Sequence, residues 1–295
     1  MKTIRRYNFA GLLYISPWVV GFVGLTLVPF LSTIVFSFTH YSVLSRPYFI
    51  GLQNFVEMFT TDDLFPKALQ VTGIYVLISV PLKLAFALLV AVILNQRLKG
   101  IGAYRTLYYL PSIFGGSVAL SILWRMLFMD NGLINKFLAI LSIHGPAWLG
   151  DARFALPTIS LLSVWQFGSS MVLFLAGLKQ VPEFLYEAAK IDGAGRLRVF
   201  RMITFPLITP IVFFNLIMQT INAFQDFTAA FVITSGGPLH ATYLYALLLY
   251  DNAFRYFRMG YASALAWFLF VVLLAVTSLV FRSSPYWLHY QETEQ

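Results

Sequence analysis

Apolar runs with at most one charged residue recur six times along this chain, and most are long enough to cross the hydrocarbon of a bilayer as an α-helix, which takes about 20 residues. They cover roughly Gly11–Phe38, Thr72–Leu94, Leu107–Leu123, Phe154–Leu178, Leu207–Thr234 and Tyr261–Phe281. The third is short, and its pattern runs on past Arg125 to Phe128. In lipid the backbone must satisfy its own hydrogen bonds, so runs of this length specify helices. Composition leaves no other solvent. Of 295 residues, 59% are hydrophobic and only 20 Lys+Arg and 12 Asp+Glu are charged. A soluble domain carries about a quarter charged residues. The expected fold is therefore all-α, a polytopic membrane protein with six transmembrane helices. The absence of Cys removes disulfide scaffolds, thiolate metal sites and Cys nucleophiles.

The first run follows Lys2, Arg5 and Arg6, as a signal peptide would. Its 28 uncharged residues exceed an h-region, and no small-residue cleavage site follows, so it reads as an uncleaved span. With the N-terminus inside, the inner segments hold Lys2, Arg5, Arg6, Arg97, Lys99, Arg105, Lys179, Lys190, Arg196, Arg198, Arg201 and Arg282. The outer segments hold Arg46, Lys67, Arg125, Lys136, Arg153, Arg255 and Arg258. The inner net charge is +7 and the outer +1. The positive-inside rule then places both termini in the cytoplasm. The overall charge of +8 thus reports membrane orientation, and no nucleic-acid partner is expected. Leu133–Leu141 and Tyr243–Phe257 read as amphipathic helices at the outer interface. No Gly/Ser linker or low-complexity tract interrupts the chain, so 1–295 reads as a single domain with a core at roughly 72–281.

Enzyme readings lack parts. No G-x-x-x-x-G-K-[ST], H-E-x-x-H or G-x-S-x-G occurs. His40, His144, His240 and His289 lie apart and outside the runs, and Asp226 is the only carboxylate within one. No catalytic residue and no metal site are expected.

The stretch Lys179–Pro206 is the most polar of its length on the inner side. Val181-Pro182-Glu183 opens a helix, with Pro at its first turn and an acid near the positive end of the dipole. Phe184, Leu185, Ala188 and Ile191 mark one apolar face. Asp192-Gly193 ends it, because Gly takes a left-handed conformation freely. Arg196–Ile203 reads as a second short basic helix before Pro206 opens the fifth span. A helix–turn–helix of 28 residues is long for a plain connector, typically about 4–6 residues, and suits a knob that docks on a soluble partner.

Glu187-Ala188-Ala189, Asp192-Gly193-Ala194, Phe200, Ile203 and Phe205-Pro206 resemble the EAA loop of the permease subunits of binding-protein-dependent ABC importers. Phe205 stands where Leu is usual. Lys99-Gly100, Tyr104-Arg105-Thr106, Leu110-Pro111, Trp124, Asn131–Asn135 and Trp148-Leu149-Gly150 resemble the sugar permeases of that family. So do Thr234–Pro238, similar to a T-x-G-G-P signature, and Gly260-Tyr261-Ala262 with Ala264. The resemblance implies a type I importer permease fold of the carbohydrate-uptake type, like maltose and glycerol-3-phosphate permeases, in a bacterial plasma (inner) membrane. It implies that the loop at 179–206, with Glu187, Ala188, Ala189, Asp192, Gly193 and Ala194, couples to an ATPase. It also implies a second related permease subunit, two ATPase subunits and an extracytoplasmic solute-binding protein. No cofactor is expected in this chain, since ATP and Mg would sit on the ATPase subunits.

Asn215, Gln219, Asn222 and Asp226 are spaced by 4, 3 and 4 residues, so they share one stripe of the fifth run, with Gln225 adjacent. Polar side chains facing lipid are costly, so the stripe faces the bundle interior or a water-filled path. Amides and a carboxylate are groups that bind sugar hydroxyls. Trp165, Gln166 and Ser169 on the fourth run complete the expected substrate path. The alternative is helix–helix hydrogen bonding, worth about 0.6 kcal/mol per pair. Lys83 sits mid-span beside Pro81, at an insertion cost of about 2.5–3.5 kcal/mol, and either pairs with Asp226 or snorkels. These two charges also admit a second reading, a self-contained ion-coupled secondary transporter. A membrane scaffold, a third class, has no need of the polar stripe.

Overall fold

The computed structural model describes residues 7–43, 45–96 and 100–287. Lys2, Arg5, Arg6, Arg97, Lys99 and His289, used above for orientation or to exclude enzymes, lie outside the described residues. The helices in chain order are α1 (Tyr7–Phe22), α2 (Val28–Ser37), α3 (Gln53–Thr60), α4 (Leu64–Leu94), α5 (Ile101–Ile113), α6 (Val118–Phe128) and α7 (Leu133–Ile140). There follow α8 (Ala152–Trp165), α9 (Gly168–Leu178), α10 (Glu183–Ile191), α11 (Arg196–Val199), α12 (Phe205–Phe224), α13 (Tyr245–Tyr250) and α14 (Met259–Ser283). One short hairpin, β1 (Thr39–Ser42) with β2 (Ser45–Phe49), is antiparallel.

Four helical stretches are long and apolar enough to cross a membrane: Leu13–Ser37, Leu64–Leu94, Arg196–Phe224 and Met259–Tyr286. Two bent pairs, Ile101–Ile113 with Val118–Ile140 and Ala152–Trp165 with Gly168–Leu178, bring the count to six when each pair is one span. The first stretch is α1 and α2 joined through a π turn at Val23–Leu27. Arg196–Phe224 is α11 and α12 joined through another at Phe200–Thr204. Each turn has the same cause. Pro29 and Pro206 have no N–H for the carbonyl four residues back, at Leu25 and Met202, and their rings crowd it. Widening the turn there keeps the helix continuous: Val28 donates to Val23 and Phe205 to Phe200, five residues back.

The chain forms two compact units, one of residues through Asp63 with Leu249–Val272, the other of Leu64–Leu248 with residues from Leu273 on. In the first, buried Asn54 on α3 donates to the carbonyls of Ser37 (2.8 Å) and Thr39 (3.0 Å), tying helix, hairpin and α2 together. Glu57 pairs with Arg258, and the Tyr261 hydroxyl donates to Asp62 at 2.6 Å. Trp267 donates to Thr33 at 2.9 Å. Leu13, Tyr14, Trp18 and Leu25 on the first span are exposed, as suits side chains solvated by lipid.

In the second unit α4 is the central helix and packs against α8, α9 and α12. Ala68, Ser79, Ala87 and Ala91 are buried on it, and small residues let neighbouring helices approach where lipid gives no hydrophobic drive to associate. At the start of α8, the Asp151 carboxylate accepts the backbone N–H of Arg153 at 2.8 Å. The Arg153 side chain and that N–H hold the Asp151 carboxyl down at about 2.

Five sequence expectations need correction. The second helix begins at Leu64 rather than Thr72 and takes in Lys67, because nothing before Thr72 breaks it. The third span is broken, turning by 96° between α5 and α6 at Phe114–Ser117, where Gly116 adopts φ +72°. The fourth bends by 45° at Gln166–Phe167. The fifth helix starts at Arg196 and ends at Phe224, so the basic helix of Arg196–Ile203 is its first turns, and Asp226 lies just past its end. Finally, Tyr243–Phe257 is exposed only in part: Phe254, Tyr256 and Phe257 are exposed, but the residues before them are mostly packed inside. Tyr243, Leu244, Tyr245, Leu247 and Leu248 are buried in the second unit, where the Tyr245 N–H donates to Thr72 at 2.8 Å, and Asp251, Asn252 and Ala253 are buried in the first. The other expected amphipathic helix is present as α7, with Leu133, Phe137 and Ile140 exposed.

Candidate functional site

Three of the spans stop being regular helix, at Phe114–Ser117, at Gln166–Phe167 and after Phe224. Backbone of this kind at membrane depth survives only where protein or water covers it. Here all three breaks face one cavity of about 460 Å³, within the range of about 300–1,000 Å³ typical of ligand pockets. Val80 and Lys83 of α4 line it, with Ser112, Gly115 and Gly116 from the first break. Ser163, Gln166 and Ser169 come from the second. Gln219, Asn222 and Ala223 of α12, and Gln225–Thr228 beyond it, complete the wall.

The breaks are pinned to one another. Ser112 accepts the backbone N–H of Ser169 at 3.2 Å. Gly168 opens α9 against α5 so closely that a methyl group there would sit 2.7 Å from Ser112 Oγ and 2.8 Å from the Tyr108 carbonyl. The Tyr75 hydroxyl of α4 donates to Asp226 Oδ2 at 2.5 Å, anchoring the end of the fifth span to the central helix. Among the described residues no ion pair joins Lys83 to Asp226, although both line the cavity. Ser112, Ser163, Gln166, Ser169, Gln219, Asn222, Gln225 and Thr228 offer hydroxyl and amide groups, which both donate and accept. The wall suits a polyhydroxylated solute.

The structure therefore places Gln166, Ser169, Gln219, Asn222 and Asp226 on one cavity wall, of which sequence spacing puts Gln219, Asn222 and Asp226 on a common stripe. It does not bring Asn215 or Trp165 to the cavity wall. Asn215 is fully buried in the bundle, where its side-chain N–H donates to Ile211 at 3.2 Å. The Trp165 ring lies 5.9 Å from that of Trp124. Sequence reasoning missed Tyr75, Ser112, Ser163 and the Gly115-Gly116 turn. One signal was available: Tyr75, Ser79 and Lys83 recur every four residues, a polar stripe on the second span.

The polar loop is built as its pattern predicts over α10. Pro182 precedes the helix in an extended conformation, Glu183 is the acid of its first turn and Lys190 the base of its last. Gly193 adopts φ +69°. Its N–H donates to Lys190 at 3.2 Å and that of Ala194 to Ala189 at 2.9 Å, the paired bonds of a Schellman terminus. Ala189 is buried and Tyr186 hydrogen-bonds Thr204 at 3.1 Å, so this face of α10 seats on the start of the long fifth helix. Phe184, Ile191, Leu197 and Met202 remain exposed, with Ile191 at 87%. The expected apolar face thus divides: Leu185 is half-buried, whereas Phe184, Ala188 and Ile191 point outward.

A polytopic helical fold with a polar cavity at converging helix breaks, and a rigid amphipathic knob on one loop, defines a membrane permease. The chain belongs to the family described as the inner membrane component of binding-protein-dependent transport systems, whose profile matches residues 72–288. It is 50% identical to the probable ABC transporter permease protein YesP of Bacillus subtilis (strain 168), across 100% of this chain and 96% of that one. It is 31% identical to the lactose transport system permease protein LacF of Rhizobium radiobacter, over 94% of each chain. It is 36% identical to the trehalose/maltose transport system permease protein MalF of Thermococcus litoralis, over 78% of this chain and 77% of that one. Its fold is that of a chain in a bacterial alginate ABC transporter, solved with an alginate pentasaccharide-bound periplasmic protein. The TM-score is 0.80 at 21% identity, over 96% of this chain and 97% of that chain. The protein is accordingly a multi-pass inner-membrane permease subunit whose transport depends on a solute-binding protein. The reading as a self-contained secondary transporter gives way to that dependence.

Proposed function

We propose that this permease moves a sugar or oligosaccharide, released to it by the binding protein, through the cavity at the three helix breaks. The observation that carries the reading is the wall of that cavity, where the described residues supply eight neutral amide and hydroxyl side chains, one carboxylate and one ammonium. Relatives named for lactose, trehalose/maltose and sn-glycerol-3-phosphate transport support it. Gln166, Ser169, Gln219, Asn222 and Asp226 hold solute hydroxyls, while Asn215 and Trp165 brace the helices behind them.

Energy comes from elsewhere in the assembly. Of two ATPase subunits, one docks on α10 and its turn, where Phe184 and Ile191 are exposed on a helix fixed from behind by Ala189 and Tyr186. Glu187, Ala188, Asp192, Gly193 and Ala194 form that contact, with Ala189 as its buried support. Docking on a rigid knob that continues into the fifth helix transmits movement of the ATPase to the wall bearing Gln219 and Asn222, so the cavity opens alternately to either side. A second, related permease completes the pathway. Purification of this chain from its native membrane with its partners tests the proposal. It should carry an ATPase and a sister permease, and the reconstituted complex should accumulate saccharide only with ATP and binding protein. ATP-independent accumulation by this chain alone contradicts it.

A further inference from the structure

We propose that Tyr75 is a positioning residue of the solute path: its hydroxyl holds Asp226 away from Lys83, so that these two charges do not close the cavity between them. The inference rests on the saccharide reading and deepens it. Of the described residues that line the cavity, only Lys83 and Asp226 are charged, and they attract each other across it. Attraction between opposite charges is strong where water is scarce. Among the described residues the two nonetheless form no ion pair.

The layout of α4 accounts for the gap. Tyr75, Ser79 and Lys83 recur every four residues and share one face of that helix, so Tyr75 and Lys83 stand about 12 Å apart along its axis. Asp226 is held at the Tyr75 end. Its Oδ2 accepts the Tyr75 hydroxyl at 2.5 Å, and the backbone N–H groups of Phe227 and Ala229 donate to the same carboxylate. Ser79 stands between, and its hydroxyl donates instead to the Tyr75 carbonyl at 2.7 Å. A carboxylate has about four acceptor sites, so one is left for a solute hydroxyl after these three bonds. Tyr75 is fully buried and does not line the cavity, so it acts on solute only through Asp226. Lys83, by contrast, carries its ammonium on a flexible stem and can follow the carboxylate. A hydrogen bond to a charged group is worth roughly ten- to hundred-fold in an equilibrium. A buried ion pair comes near to breaking even against its own desolvation, so a bond of that size decides which partner Asp226 keeps. With the phenol in place, carboxylate and ammonium both stay open to solute, one to accept and the other to donate.

The test uses the complete transporter in liposomes and needs no solute, so it stands apart from the uptake measurements that decide the saccharide reading. Asn222, exposed on the cavity wall, is replaced by Cys, and the rate of its reaction with a small water-soluble thiol reagent is measured. Tyr75→Phe should slow that reaction roughly ten-fold or more, because the carboxylate swings to Lys83 and the pair bridges the space. In a chain that also carries Lys83→Met, the same Tyr75→Phe change should leave the rate where Lys83→Met alone puts it, since no cation is there to receive the carboxylate. An equal effect of Tyr75→Phe in both backgrounds, or none in either, overturns the proposal. Assembly itself is a second readout. A Tyr75→Phe complex that assembles only together with Lys83→Met supports the proposal, whereas failure in both backgrounds reduces Tyr75 to a structural anchor and overturns it.

Discussion

Replacing Gly193 by Val isolates the turn that ends the α10 knob. A Cβ built on Gly193 meets nothing within 4 Å, so no packing clash confuses the result. The effect comes from the backbone alone. At φ +69° a side chain costs about 1–2 kcal/mol, with a β-branched residue at the upper end. Escape to a right-handed conformation breaks the bonds from Gly193 to Lys190 and from Ala194 to Ala189, each worth about 1 kcal/mol. Either route costs about 2 kcal/mol, which lowers the population of the native turn by roughly thirty-fold relative to alternatives. The assay is solute-stimulated ATP hydrolysis by the reconstituted complex, with retention of the ATPase on affinity purification as a second readout. Gly193→Val should depress both. Gly193→Asn should lie between Val and wild type, because Asn tolerates the left-handed region. Equal coupling in Val, Asn and wild type refutes the claim that this turn shapes the docking surface.

Two further outcomes follow. Gln219→Ala and Asn222→Ala should each raise the solute concentration for half-maximal uptake about five- to ten-fold, the loss of one or two neutral hydrogen bonds, while the complex still co-purifies; unchanged concentration dependence in both reduces them to helix–helix contacts. The chain has no Cys, so Cys introduced at Arg255 or Arg198 reports cleanly. A membrane-impermeant thiol reagent should label the Arg255 variant from outside and the Arg198 variant only after permeabilisation, and the reverse pattern inverts the topology.

The sequence announces the helices and the knob because both rest on local rules. Apolar length marks spans one, two, five and six, and Pro182, Glu183, Lys190 and Gly193 mark the two ends of α10. The helix breaks are less legible. The 96° turn runs through Gly116 at φ +72°, and the close approach of Gly168 to α5 beside it is a contact between positions far apart in sequence. The stripe from Gln219 to Asp226 is readable at spacings of three and four. Its partner on α4 is not, since the Tyr75–Asp226 bond joins residues 151 positions apart. Asn215 shows the limit of periodicity: it shares the stripe, yet it lies a turn below the cavity and is buried. The same limit applies to Tyr243–Phe257, whose aromatic content suits both the interior that Tyr243 and Tyr245 occupy and the surface on which Phe254, Tyr256 and Phe257 lie.

The central claim is that solute crosses through the space where the three helix breaks meet, under control of ATP. Asn222 lines that space and is exposed within it, so Asn222→Cys in an otherwise Cys-free chain places one thiol on the path. The measurement is its rate of reaction with a small water-soluble thiol reagent in the assembled complex, with and without ATP and with and without a transported saccharide. The rate should change on ATP binding, as the cavity turns from one side to the other, and saccharide should slow it. A rate indifferent to both nucleotide and solute contradicts the account.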